Sequence, residues 1–283
     1  MIPVEKAVSS RIPEIKRELD RTGHLANPLL VSHEEDGKYL LLHGINCFEA
    51  LNSIGIKNAV VQEVPTQCGD SHFLAWYHLV KNLNLEYLNG LAEILRLKLE
   101  EIDYDSIWEE DDEISIKCIF MDGKCYRIIP GSDNLIGRVA SLASFIESYQ
   151  AFSPHLKIYP DRLIVESSEL FDLGSALILL PAFSHDQILR LADEKVLLPP
   201  DCLNICVDNR VVGLDFPLRV LNSSDDVEEK KLFLKELLRL RMQSDKSTVY
   251  GGKVYFMGRA RREHTRSSGP GERNSPDSGL YLE

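Results

Sequence analysis

The spacing between apolar residues changes several times along the first 65 residues, and each change predicts a boundary between secondary-structure elements. Residues 3–8 predict a short leading strand. Residues 12–23 space their apolar side chains at helical intervals, with Pro13 near the start and Gly23 at the end, as expected for a helix. The same stretch also predicts strands at 27–31, 39–43 and 58–64, a helix at 47–54 and a hairpin tip at Asp36-Gly37. These elements together predict a compact α/β unit.

The rest of the chain alternates helical and strand-like patterns. Residues 72–83 and 88–102 predict two amphipathic helices, and the acidic stretch 103–113 predicts a solvated connection. Residues 114–130 predict a hairpin with a type I′ turn at Asp122-Gly123. Further helices are predicted at 134–151, 184–194 (with a capping box from Ser184 and Gln187) and 225–245, strands at 156–160 and 163–168, and hairpins at 203–218 and 247–257.

These elements indicate an α/β (α+β) fold with several parts. We expect an N-terminal lobe over 1–66, a helical and hairpin connecting region over 67–153, and a smaller α+β C-terminal lobe over 154–257. Residues 258–283 lack a core-forming pattern and predict a disordered tail, although it carries an arginine cluster.

Composition limits the classes of function. The net charge is −12, with 44 acidic and 32 basic residues, which argues against DNA as a partner because phosphate neutralisation needs clustered Lys and Arg. No signal peptide and no apolar run near 18 residues is found, so a cytoplasmic protein without a membrane partner is expected. The six cysteines contain no CxxC pair, which favours reduced structural thiols and no metal site.

The turn after the strand 39–43 is the main candidate site. It contains His43, Gly44, Asn46 and Cys47, without Lys, Arg or a carboxylate. A glycine turn that opens a helix presents backbone N–H groups to an anion. Three interpretations stay open: weak nucleotide or phosphate binding, an empty structural corner, and recognition of another small ligand.

Several segments resemble the ParB/sulfiredoxin-like superfamily, and more narrowly its free L-serine kinases. The matching segments occur in family order and cover roughly residues 2–257: PVEKAV, NPLLVSHEEDGKYLLLHG, ALNSIGIKNAVVQEV, VLLPPDCLNICVDNRVVGLDFPL and DDVEEKKLFLKELL…KVYFM. The chain also resembles the serine-kinase-like regulators encoded with staphyloferrin B siderophore biosynthesis. The resemblance implies a ParB/sulfiredoxin-like N-terminal lobe and a nucleotide-phosphate cradle at the turn.

The residues of that cradle depart from the family pattern. The family's Asp, His and Arg correspond to His43, Asn46 and Cys47, while Gly44 is retained. Loss of the arginine removes a permanent bidentate cation.

Two further departures concern the catalytic glutamate, which acts as a base in the family, and the C-terminal lobe. The segment that carries the family's catalytic Glu is too short here, and Glu14 or Glu18 are the weak substitutes, with His43 a further catalytic candidate. A Thr-Arg pair becomes Leu203-Asn204, although the later Arg210 matches.

The resemblance with its departures predicts a serine-kinase-like pseudoenzyme that acts as a ligand-sensing or transcriptional regulator, tied to siderophore or serine-derived amino-acid biosynthesis. The alternative is an active kinase that makes O-phospho-L-serine with Lys57 and Arg210 as phosphate ligands. The implied cofactors are ATP or ADP with Mg²⁺. Haem stays open, since His43 and Cys47 are side chains of the axial-ligand type. The expected partners are a small effector or L-serine, and self-association or a protein partner.

Overall fold

The computed structural model describes residues 1–34, 37–64, 73–109, 114–150, 155–158, 175–205, 207, 210–243, 247–250 and 254–257. Within these ranges the chain has an α+β fold, as predicted. The strands of these described residues form a mixed N-terminal sheet and four further sheets.

The N-terminal sheet has four strands in the order β1-β4-β3-β5. The strands are β1 (Ile2–Pro3), β3 (Leu29–His33), β4 (Tyr39–His43) and β5 (Val61–Glu63). Strand β4 pairs antiparallel with β3, whereas β1 and β5 pair in parallel with their neighbours.

Helices α1 (Ile12–Thr22) and α2 (Ile45–Ser53) accompany this sheet and lie close to the predicted bounds. Helix α1 begins with Pro13 in its first turn and ends where the N–H of Gly23 donates to the carbonyl of Leu19 at 2.8 Å. Leu19 is its fully buried side chain, which anchors the helix on its apolar face.

The largest sheet is antiparallel and has six strands in the order β11-β7-β12-β9-β10-β8. Its strands are β7 (Tyr77–Val80), β8 (Lys98–Ile102), β9 (Ile116–Phe120), β10 (Cys125–Ile129), β11 (His155–Ile158) and β12 (Ala176–Leu179). Helices α3 (Leu85–Leu95) and α4 (Leu135–Gln150) pack on each other and on this sheet. A 3₁₀ helix (Asp105–Trp108) follows β8.

Short strands connect distant parts of the chain. Strand β2 (His24–Leu25) pairs with β15 (Phe216–Pro217), and β6 (Phe73–Ala75) pairs with β13 (Leu203–Ile205). The remaining elements are β14 (Arg210–Val212), β16 (Ser247–Tyr250), β17 (Val254–Met257), α5 (His185–Asp193), α6 (Leu218–Leu221) and α7 (Val227–Gln243).

One hydrophobic core extends from the N-terminal sheet into the six-stranded sheet. It includes Leu40 of β4, Val80 of β7, Phe145 of α4 and Ile178 of β12, all buried. A second cluster packs α1 and α2 against β15 and α7. The parts predicted as 1–66, 67–153 and 154–257 therefore contribute to shared apolar packing, and their boundaries stay a prediction.

The helix predicted over 72–83 is wrong, because this stretch forms β6 and β7. Its centre, His78, is fully buried in a strand covered on both faces, and such strands carry continuous apolar runs that resemble a helix pattern. The helix predicted over 88–102 ends at Leu95, and the following residues form β8. Arg96 takes a left-handed backbone (φ 55°) that terminates the helix.

Two predicted hairpins also need correction. Strands β13 and β14 do not pair with each other, since β13 pairs with β6 and β14 with β17, so 203–218 is not a hairpin. The hairpin of β9 and β10 is confirmed, but of its turn residues only Gly123 has a positive φ (83°). The turn is therefore a type I turn with a glycine bulge rather than type I′.

The N-terminal capping box predicted for α5 is confirmed, because Ser184 and Gln187 form both of its hydrogen bonds. The hairpin formed by β16 and β17 is confirmed as well. The predicted Asp36 tip, the strand 163–168, the Asp208-Asn209 turn and the tail 258–283 lie outside the described residues. No helix in the described part of the chain is both long and apolar enough to cross a membrane.

A buried hydrogen-bond pair joins the six-stranded sheet to α4. The ring of His78 lies 3.2 Å (Nε2) from the carbonyl oxygen of Asp201 and 2.6 Å (Nδ1) from the hydroxyl of Tyr149. Because a carbonyl only accepts, Nε2 carries the proton and Nδ1 accepts the hydrogen bond from Tyr149.

We expect Tyr149→Phe to lower the free energy of unfolding by about 1–3 kcal/mol, because His78 Nδ1 would be left buried without its donor. Urea unfolding followed by circular dichroism measures this change. Tyr104→Phe is the control, since Tyr104 is 55% exposed and should tolerate the loss of its hydroxyl. Equal stability of both variants would contradict the assigned hydrogen bond.

Candidate functional site

The turn from β4 into α2 has a backbone that requires glycine. Gly44 has φ 98°, and a Cβ added there would lie 2.7 Å from Cδ2 of Leu29. The first N–H groups of α2 have no partner within the helix, and its first turn contains no acidic residue. The turn therefore presents the positive end of a helix dipole.

A cavity of about 850 Å³ opens beside this turn. Helix α1, the segment from Thr22 to Leu29, the start of α2 and Arg210 at the start of β14 form its walls. Its charged lining consists of four arginines and two glutamates: Arg11, Arg17, Arg21, Arg210, Glu14 and Glu18. His24 and His43 also line it. The four arginines outnumber the two glutamates, so the lining has an excess of positive charge in a protein whose net charge is −12, which favours an anionic ligand.

The arginines of α1 differ in their contacts. Arg21 forms a double hydrogen bond with Glu18 one turn earlier, with Nη2–Oε1 at 2.6 Å. The Nε of Arg17 donates to the carbonyl of Pro13 at 3.3 Å. Arg17 and Arg21 are exposed, so they lie at the rim of the cavity.

Arg11 and Arg210 are half-buried. Arg11 makes a bidentate ion pair with Asp201, at 3.1 and 3.0 Å. The two arginines come from opposite ends of the chain, and only the tertiary fold brings them to one cavity.

The structure brings most of the predicted site residues together. Glu14, His43, Gly44, Cys47 and Arg210 all line the cavity.

Two predicted site residues are placed differently. Asn46 is not part of the cavity lining, and its Oδ1 accepts a hydrogen bond from the backbone N–H of Val8 at 2.7 Å. It ties the segment before α1 to the start of α2. Lys57 is exposed after α2 and is also outside the lining.

Cys47 is a neutral thiol in the first turn of α2. Burial raises its pKa from 9.0 to about 11. It packs against both the α1–α2 cluster and the cluster around Val31. A protonated thiol contributes neither positive nor negative charge to the cavity, so the electrostatics come from the arginines and the helix end.

Sequence reasoning missed Arg11, Arg17, Arg21 and His24 as lining residues. Their signal is present, since positions 11, 14, 17, 18 and 21 fall on one side of a helix. Which side of α1 faces a cavity, however, is set by its packing against α2.

Glu5, which lies just after β1, connects the N-terminal segment to the start of β13. Its Oε1 accepts hydrogen bonds from the backbone N–H groups of Cys202 and Leu203, at 3.0 and 2.7 Å. The carboxylate is therefore engaged in a structural contact. Among the described residues, no group of three or more His, Cys, Asp or Glu side chains gathers to form a metal site.

Comparison with solved structures shows which proteins share the fold. SbnI from Staphylococcus aureus, with a C-terminal truncation, superposes with a TM-score of 0.66 at 18% identity over 85% of this chain and 93% of that chain. A free serine kinase in complex with ADP, a glutamate-to-alanine variant, gives 0.61 at 17% identity over 78% and 90%. A conserved hypothetical protein from Pyrococcus furiosus gives 0.58 at 16% over 78% and 93%.

At these identities the likeness establishes the fold alone. The predicted serine-kinase-like fold is thus confirmed, and so is the resemblance to the siderophore-locus regulator at the level of the fold. No protein-family model and no curated protein sequence matches the chain.

We expect Gly44→Ala to be more destabilising than Gly55→Ala. Both positions have positive φ, which costs a side chain about 1–2 kcal/mol. Only Gly44 adds a collision with Leu29, worth about 1–3 kcal/mol more, because nothing lies within 4 Å of a Cβ at Gly55. Chemical unfolding of the two variants measures the difference, and equal losses would contradict the close packing at the turn.

Cys47 should make stability depend on alkaline pH. Because its folded pKa is about 11 and its ordinary value 9.0, the folded state retains a proton that the unfolded state loses, and stability falls as pH rises through this window. We expect Cys47→Ala to reduce the slope of the free energy of unfolding by up to about 1.4 kcal/mol per pH unit. Urea titrations at closely spaced pH values test this, and an unchanged slope would refute the assignment.

Proposed function

We propose that this chain binds a nucleotide or another small phosphate-bearing molecule in the cavity beside Gly44, and that it has lost efficient phosphoryl transfer. In this proposal the protein acts as a ligand-sensing regulator with the fold of a serine kinase. The observation that carries the proposal is the set of four arginines around the start of α2 in an acidic protein. Guanidinium groups and helix N-termini both suit phosphate binding.

The size of the cavity supports this class of ligand. About 850 Å³ lies within the range of small-molecule sites and is ample for a mononucleotide. Structures with this fold include free serine kinases in complex with AMP and ADP.

Loss of phosphoryl transfer is supported by the acidic groups near the cavity. Transfer to a hydroxyl needs a carboxylate placed to accept its proton. Glu5 is bonded to two backbone N–H groups, and Glu18 is paired with Arg21. Glu14 is the remaining carboxylate. Its side chain is exposed on α1, so packing does not hold it in the defined position that a general base requires.

Mg²⁺ fits the proposal as a companion of the nucleotide. Bound to phosphates, Mg²⁺ takes one or two protein carboxylates and several waters, and Glu14 is the lining carboxylate that would serve. Haem fits less well, because an axial cysteine binds iron as a thiolate and burial keeps Cys47 protonated at neutral pH.

The partners of this proposed regulator follow from the resemblance. They are a small-molecule effector or L-serine, with self-association or a protein partner as the output, in siderophore or serine-derived amino-acid biosynthesis. Transcriptional regulation would then act through that partner, since the net charge of −12 opposes direct DNA binding.

An active free L-serine kinase is the second candidate function. It is favoured by the presence of Glu14, His43 and Gly44 on one cavity. In that reaction the serine oxygen would bond to the terminal phosphorus while Glu14 accepts the hydroxyl proton, and the nucleotide would leave one phosphate shorter. The products would be O-phospho-L-serine and the shortened nucleotide.

Calorimetric titration with ADP tests the binding proposal. We expect Arg17→Gln and Arg21→Gln each to weaken binding about tenfold, which corresponds to one charge-assisted contact. Arg239→Gln on α7 is the matched control, because Arg239 pairs with Glu236 in the same i,i+3 geometry as Arg21 with Glu18. Absence of ADP binding, or equal weakening by Arg239→Gln, would refute the proposal.

A turnover assay separates the two functions. Incubation with L-serine, ATP or ADP, and Mg²⁺ should yield no O-phospho-L-serine above the level without protein. Turnover that disappears in Glu14→Gln would instead establish the active kinase.

A further inference from the structure

Arg11, one of the four arginines that line the cavity, forms an ion pair with an aspartate, Asp201. Its two terminal nitrogens lie 3.1 and 3.0 Å from the two carboxylate oxygens of Asp201. The side chain of Arg11 is 42% exposed, whereas that of Asp201 is 11% exposed. A ligand entering the cavity therefore reaches the guanidinium before it reaches the aspartate.

The backbone around Asp201 is held in place by several hydrogen bonds. Asp201 has φ 64°, a left-handed conformation that side-chain-bearing residues rarely adopt. Its carbonyl oxygen accepts from the buried ring of His78, and the next two N–H groups donate to Glu5. These backbone contacts fix the position of the Asp201 carboxylate beside Arg11.

Asp201 also connects the cavity to the rest of the molecule. It precedes β13, which pairs with β6, and β6 leads directly into β7 of the six-stranded sheet. The N–H of Trp76, between β6 and β7, donates to the carbonyl of Cys202 at 3.3 Å. Asp201 is therefore linked to the six-stranded sheet through a short series of covalent bonds and hydrogen bonds, so a displacement of Asp201 would also affect that sheet.

We propose that Asp201 is an internal counter-ion that competes with the anionic ligand for Arg11. Asp201 occupies the end of the guanidinium that carries both terminal nitrogens, so a phosphate that makes its two-point contact at this same end must displace the carboxylate. Ligand binding exchanges one anion for the other and loosens the segment around Asp201. This inference rests on the anion binding proposed above and names the residue that sets its affinity.

Asp201→Asn is the sharpest test. Asparagine has nearly the same shape and tolerates positive φ, so the backbone is kept while the competing charge is removed. We expect the Kd for ADP to fall about tenfold, because the ligand no longer displaces a carboxylate from Arg11. Asp193→Asn, which removes an aspartate paired with Lys38 at 3.4 Å outside the cavity lining, should leave the Kd unchanged.

A double-mutant cycle identifies the partner. Arg11→Gln should weaken ADP binding, and Asp201→Asn should have no effect in the Arg11→Gln background. Asp201→Gly, which suits the positive φ, replaces Asp201→Asn if that variant folds poorly. Weaker or unchanged binding by the folded Asp201 variant would overturn the inference, since it would show that the aspartate orients Arg11 for the ligand or has no influence.

The outcomes distinguish this inference from the function on which it rests. If wild type binds ADP and removal of Asp201 does not tighten binding, only the competition is refuted. If neither wild type nor Asp201→Asn binds ADP, the anion site and the competition both fail.

Trp76 provides a second readout that does not depend on affinity. The chain has two tryptophans, so Trp108→Phe leaves Trp76 as the sole indole emitter. Saturating ADP should change its fluorescence in the Trp108→Phe protein and leave it unchanged when Arg11→Gln is added. Constant fluorescence in Trp108→Phe at saturation would refute the loosening of this segment.

Discussion

Because Gly44 takes a left-handed backbone against the side chain of Leu29, β4 turns into α2 without a side chain at the corner. The chain thereby directs the N–H groups of the first turn of α2 toward open space, and α1 packs beside α2 to enclose that space. Arg210 reaches the same cavity from the far end of the chain. The corner thus sets where the positive end of α2 lies relative to the charged side chains of α1 and Arg210.

The elements that the sequence predicted well are those whose signals are local. Helix α1 has its proline and glycine, α5 has its capping box, and β4 is bounded by its hairpin and by Gly44. The strand β7 was not predictable in this way. Its polar centre, His78, is buried because Tyr149 lies 71 residues away and supplies a partner. Pairing of β13 with β6 likewise depends on contacts that no short window contains.

The same distinction, between local signals and contacts over long sequence distances, applies to the candidate site. The turn at Gly44 and the matching Arg210 were predictable from motif and order along the chain, and both line the cavity. The absence of the family's arginine at Cys47 was also evident, but it led to the expectation that the turn itself offers no cation. Helix α1 supplies the cations instead, because its apolar face packs inward and turns Arg17 and Arg21 toward the cavity. A short stretch of sequence is enough to predict an amphipathic helix. It does not show whether the polar side of that helix faces solvent or a cavity.

Binding and catalysis place different demands on these charges. An anion is attracted by any cluster of guanidinium groups, even exposed ones, whereas proton transfer needs one carboxylate fixed within hydrogen-bond distance of the acceptor hydroxyl. Without a ligand, four arginines around one cavity repel one another. Glu18 and Asp201 each neutralise one of them, which stabilises the ligand-free protein. Under the proposed anion binding, the same neutralisation would lower the affinity for the ligand, and the cavity would respond to changes in ligand concentration instead of staying saturated. An arrangement of this kind suits a sensor better than it suits a kinase.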